Sequence, residues 1–225
     1  MTFSKKSDSI WQILVPHAVW GYNGNDISSD IAINAGGIEN TNFTGHFNAK
    51  NMNVLSLQEL LAAQPLNAKL RKWLQSSITA GVLADASLDI DISDTNKFRF
   101  KGEFDKANLK FADSWPQLEN IKGKIYLDNN KLELVSSKAS MKTQDFDSIN
   151  INILDVHKPN IVVAINSQVD LAKAKGIIDS SPLHKTLGKY FSGADIAGNS
   201  QLQLGFKLNH AMGFALADVV GEVLL

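Results

Sequence analysis

The chain has 225 residues, 22 of them basic and 23 acidic, with a net charge of −1 and no cysteine. The near-zero charge excludes a global field that would draw the chain to nucleic acid or to anionic lipid headgroups, and the missing cysteines exclude disulfides, thiolate metal sites and a cysteine nucleophile. A 44% hydrophobic and 20% charged composition is that of a folded chain able to bury a sizeable core, in one large or two small domains.

At the start, the apolar run from Ile10 to Trp20 is interrupted by Gln12, Pro16 and His17 and lacks a small-residue cleavage site. It does not read as a signal peptide, and no window supplies the roughly 20 apolar residues of a membrane span. Segments 8–20, 26–33 and 42–49 are predicted strands. In the last, Phe43, Gly45, Phe47 and Ala49 alternate with Thr44, His46 and Asn48. The Asn23-Gly24 and Gly36-Gly37 pairs mark the turns between them. The period then changes. Ser56-Leu57-Gln58-Glu59 has the form of a capping box, and Leu66, Leu70, Trp73, Leu74 and Ile78 follow at helical spacing, which predicts a helical insert near 56–78.

After Gly81, Val82, Ala84, Ala86, Leu88, Ile90 and Ile92 fall on one parity, and Asp85, Ser87, Asp89 and Asp91 on the other. Such spacing gives a strand with one dry and one wet face. Phe98, Phe100 and Phe104 share one parity while Ala107, Leu109 and Phe111 share the other, so an extra residue near Asp105-Lys106 must be absorbed by a bulge or turn. Asp113-Ser114-Trp115-Pro116 breaks the strand. Ile121, Gly123, Ile125 and Leu127 alternate, Asn129-Asn130 turns, and Leu132 and Leu134 return. Ile149, Ile151 and Ile153, then Ile161, Val163 and Ile165, form a second pair across a loop with Pro159. A second helical insert near 170–191 follows. Asp170 is placed to cap 171–179, and Ser181-Pro182 to open a helix carrying Leu183, Leu187 and Phe191. Leu202, Leu204, Phe206 and Leu208 resume the alternation, and the strand from Ala217 to Leu225 stops on its last apolar residue. That ending suggests a segment of something longer.

The residues offer little catalytic or ligand-binding chemistry. The five histidines, 17, 46, 157, 184 and 210, stand apart from one another and from any metal-ligand spacing. Asp85, Asp89, Asp91 and Asp94 follow strand alternation without the glycine turn and terminal glutamate of a calcium loop. Phosphate loops, nucleophile elbows and dinucleotide fingerprints are missing. Lys97, Arg99 and Lys101 interleave with Phe98 and Phe100, but parity sends the rings to the face opposite the charges, which argues against a nucleic-acid platform. The expectation is a non-catalytic protein with neither cofactor nor metal.

The stretch 109–134, LKFADSWPQLENIKGKIYLDNNKLEL, resembles a recurrent block of the YhdP-type, AsmA-like proteins of Gram-negative bacteria. LRKWLQSSITAGVLADASLDI upstream and SSPLHKTLGKYFSGADIAGNSQLQLGFKL downstream agree with the same family in order and spacing. The family pattern departs at Phe206-Lys207-Leu208, where a proline is usual before the final leucine. The resemblance implies a mainly β fold with short helical inserts, an antiparallel meander forming an elongated, curved groove related to chorein-type bridge proteins. It also implies a periplasmic parent, anchored in the inner membrane by a helix absent here, that moves phospholipid between inner and outer membranes and maintains the outer membrane. Its partners would be phospholipid acyl chains, the inner membrane, and the remaining repeats of the parent chain, with no nucleic acid. On this reading residues 1–225 form a single groove segment.

As groove-lining residues we expect Val82, Leu88 and Ile90, then Phe98 and Phe100, and then Ile125, Leu127, Leu132 and Leu134. Ile151, Ile161 and Ile165 extend the face, and Leu202, Leu204 and Phe206 end it. The same parity would serve a structural or adhesive β-sandwich module with a closed core, an alternative in which Leu70, Trp73, Leu74, Leu183 and Leu187 help to seal the sheet.

Overall fold

The computed structural model describes residues 1–7, 10–35, 41–56, 59, 72, 75–92, 97–110, 112–155, 160–191, 193, 196–209 and 215–224. Their strands are β1 (Thr2–Ser7), β2 (Ile10–Tyr22), β3 (Asn25–Ala35), β4 (Thr41–Asn53), β5 (Ile78–Ile92), β6 (Lys97–Leu109) and β7 (Leu118–Asp128). After these come β8 (Lys131–Met141), β9 (Gln144–Phe146), β10 (Ser148–Ile153) and β11 (Asn160–Asp170), then helices α1 (Leu171–Asp179) and α2 (His184–Phe191), and last β12 (Asn199–Asn209) and β13 (Ala215–Leu224). The strands form one antiparallel meander in chain order from β1 to β13, except that the short β9 folds back on β8, which pairs onward with β10. The sheet is open, with β1 and β13 as its outer strands.

Register builds the dry face. Directly opposed residues on antiparallel strands point to the same side. One row runs Phe47, Leu88, Phe100, Leu127, Leu132, Ile153, Ile161 and Leu208 from β4 to β12. The neighbouring row runs Ala86, Gly102, Ile125, Leu134, Ile151, Val163 and Phe206. On the other face Asp30, His46, Asp89, Arg99, Asp128 and Lys131 stand opposite one another across six strands. His46 Nδ1 lies 2.5 Å from Asp89 Oδ1, and Arg99 Nε 3.5 Å from Asp128 Oδ2. These pairs are about half exposed, so they set register and solubility more than stability.

Bulges bend the sheet. Lys106 and Asn120 adopt left-handed backbone conformations at register shifts on β6 and β7, and Gly81 does so on β5 at φ 139°. A Cβ on Gly81 would lie 2.7 Å from Ala107 Cα, so only glycine fits that crossing. Each bulge raises the local twist, and their side-by-side placement curls the sheet. In a flat sheet β6 and β12, five strand spacings apart, would be about 24 Å from each other. Trp115, in the β6–β7 connection, nevertheless stacks on Phe206 of β12 with ring centroids 5.1 Å apart and planes inclined by 11°.

The expected bulge at Asp105-Lys106 is present. Three expectations are corrected. Val82 is on the wet side, 40% exposed and opposite Asp105, whereas Leu83 is fully buried opposite Phe104. A register shift between Leu83 and Asp85 restores Ala86, Leu88 and Ile90 to the dry face. Helical backbone begins at Val54 instead of after Ser56, because Asn53 Oδ1 accepts from the Leu55 N–H at 2.9 Å and acts as the cap. Ile78 opens β5 and does not end the helical stripe. Leu66, Leu70, Trp73 and Leu74 of that stripe, and Gly36-Gly37, lie outside the described residues. Strands β1 and β9 had no clear alternation of their own to announce them.

Candidate functional site

The curled sheet and the α1–α2 pair enclose an apolar cavity of about 730 Å³, within the roughly 300–1,000 Å³ of pockets that take a small organic ligand. Its floor is the dry face of β6 to β12. Its roof is α1, with Leu171, Ile177 and Ile178, and α2, with Leu187, joined by Leu183 of the linking turn. Local sequence positions this roof. Asp170 ends β11 and caps α1, its Oδ1 accepting from Ala172 N at 2.9 Å and Lys173 N at 3.1 Å. Ser181 Oγ accepts from Leu183 N at 3.3 Å in the turn that leads into α2. Trp115, stacked on Phe206, closes one side.

Nine of the expected lining residues face this cavity: Ile125, Leu132, Leu134, Ile151, Ile161, Ile165, Leu202, Leu204 and Phe206. Leu88, Ile90, Phe98, Phe100 and Leu127 share the face but lie beyond the cavity, toward β4. Val82 belongs to the outer face. Ile149, Ile153 and Val163 also line the cavity, and their shared parity with Ile151, Ile161 and Ile165 was a signal for them. Trp115 and the Lys175–Lys189 rim had none, because they meet the groove through tertiary packing.

Beyond the roof the face continues over β2 to β6 through the row Val15, Ile31, Gly45, Ile90 and Phe98. It is open there: Ile92 is 54% exposed and Trp20 50%. Among the described residues, the polar groups of the lining are Asn108, the Trp115 indole N–H, Lys175, Thr186, Lys189 and the Tyr190 hydroxyl. Lys175 donates to Asp179 Oδ2 at 2.8 Å, and His184 Nδ1 lies 3.4 Å from Asp179 Oδ1. The Lys175 hydrogen bond, with His184 adding to it against partial desolvation, holds the Asp179 carboxyl below its usual 3.8. Lys189 Nζ sits 4.9 Å from the Tyr190 ring centroid. Such a lining can take hydrocarbon, with hydrogen-bond donors at one rim. Among the described residues, no three metal-ligating side chains converge.

A family model described as YhdP protein matches residues 29–224. No curated protein and no solved structure matches the chain.

Proposed function

The chain belongs to the YhdP family, and from that premise we propose that it is a hydrophobic-groove segment along which phospholipid acyl chains pass between inner and outer membranes. In this reading the segment is non-catalytic, works in the periplasm within an inner-membrane-anchored parent, and serves outer-membrane integrity. The observation that carries it is the unbroken apolar face, crossing the sheet from β2 to β12 and deepening into the 730 Å³ cavity. Two tails of about 16 carbons expose roughly 30 methylenes, so carrying them through water opposes desorption by on the order of 25 kcal/mol. An apolar trough removes most of that barrier with no bond made or broken. Among the described residues no helix is long and apolar enough to cross a membrane. A sandwich module finds less support, since the twelve-strand path belongs to one open sheet.

The test is lipid extraction and native mass spectrometry on the protein expressed in bacteria, beside an Ile151→Asp, Ile165→Asp variant. Both positions are half-buried and line the cavity, so the variant can fold while making the trough hostile to hydrocarbon. Co-purifying phospholipid that the folded variant loses supports the reading. A lipid-free, cooperatively folded wild type overturns it.

A further inference from the structure

The cavity's polar rim is unlike the rest of its lining, and we propose that it is a phosphate-recognition subsite for the headgroup of a net-anionic phospholipid whose acyl chains run into the groove. The proposal rests on the groove reading and deepens it. Lys175 on α1 and Thr186, Lys189 and Tyr190 on α2 all line the cavity, and among the described residues no carboxylate is part of the lining. Residues 171–191 hold four lysines and one acidic residue in a chain whose totals are 22 and 23. The positive charge is therefore concentrated on the two helices that roof the groove.

Lysines appear in an apolar lining because their methylene stems cover hydrocarbon while their ammonium heads reach water. A phospholipid has the complementary profile, apolar up to the glycerol and anionic at the phosphodiester. The Lys175 side chain is 34% exposed, and Asp179 steadies its head at 2.8 Å. An ammonium carries three hydrogens, so this bond leaves donor capacity for a phosphate oxygen. The Thr186 and Tyr190 hydroxyls, four residues apart on α2, line the same cavity and supply neutral donors. Lys142, whose Nζ donates to the Gly176 carbonyl at 3.3 Å, adds a cation against α1. A zwitterionic headgroup brings its own ammonium into this field and is disfavoured; a net-anionic one does not.

The experiment offers the full chain equimolar phosphatidylglycerol and phosphatidylethanolamine with identical acyl chains, and reads the bound ratio by native mass spectrometry. We expect phosphatidylglycerol to be enriched about fivefold, as two charge-assisted contacts of ordinary strength at a half-exposed site would give. Lys175→Gln with Lys189→Gln should bring the ratio to near one while total lipid and circular dichroism stay unchanged. Lys173→Gln with Lys185→Gln removes the same charge from the same helices at exposed positions outside the lining, and should keep the enrichment. A wild-type ratio near one with lipid bound overturns the subsite and leaves the groove standing. Equal loss in both double variants also overturns it, since diffuse charge would then suffice. Loss of the enrichment in excess inorganic phosphate would reassign the rim to free phosphate. A wild type that binds neither lipid removes the groove reading, and this inference with it.

Discussion

Leu83 and Val82 show how one residue of register decides what a side chain does. Leu83 is fully buried against Phe104, and its neighbour Val82 faces solvent opposite Asp105. Leu83→Lys should cost about 3–5 kcal/mol, the scale of an unpaired buried charge. Val82→Lys faces a carboxylate across the strand pair and should stay within about 1 kcal/mol of wild type. Urea midpoints of the two variants check this, and equal losses would contradict the assigned face. Gly123 and Gly205 make a second pair. A Cβ on Gly123 would collide with the Val135 carbonyl oxygen and lie 2.8 Å from Ser136 Cα, whereas on Gly205 its nearest neighbour is 3.6 Å away. Gly123→Ala must push β7 from β8 and should cost about 2–3 kcal/mol. Gly205→Ala should change stability by less than about 0.5 kcal/mol in the same urea titrations.

Among the elements, the strands were the most legible in the sequence, because alternation with a period of two survives whatever the strand packs against. The break between Phe104 and Ala107 announced the Lys106 bulge. The equivalent slip on β5 was hidden, since Val82, Leu83, Ala84 and Ala86 are all apolar and fit either face. The Asp170 cap was readable from chemistry alone, and the structure bears it out. The contact between Trp115 and Phe206 was not, because it exists only once the sheet has curled. Helix α1 offers the clearest test at this scale. Asp170→Ala should cost about 1 kcal/mol through the lost cap and speed amide exchange across 171–179, with exchange in β6 to β8 unchanged. The Asp179 carboxyl is held below its usual 3.8, so the stability it lends the α1–α2 turn is fully present above that pH and is lost as pH falls below it. Amide exchange around 175–184 should therefore rise with acid below pH 3.8, after correction for intrinsic rates, and Asp179→Asn should abolish that rise.

At the scale of the molecule, a single meander with an unpaired dry face solves one physical problem. Bulges on adjacent strands curl the sheet into a trough, and α1 and α2 roof only part of it. The apolar lining and the open continuation toward β2 suit a path better than a closed binding pocket. The central claim is that hydrocarbon occupies the inward face. The measurement that tests it most directly is site-specific photocrosslinking in bacterial cells, with a photoreactive phenylalanine analogue at Ile151, Leu204 or Leu88 on the inward face and at Asn152, Gln203 or Asp89 on the outward face. Phospholipid adducts from the inward positions, including Leu88 beyond the roof, and none from the outward ones are the predicted result. Adducts from both faces alike, or from neither in a folded protein, would contradict the account.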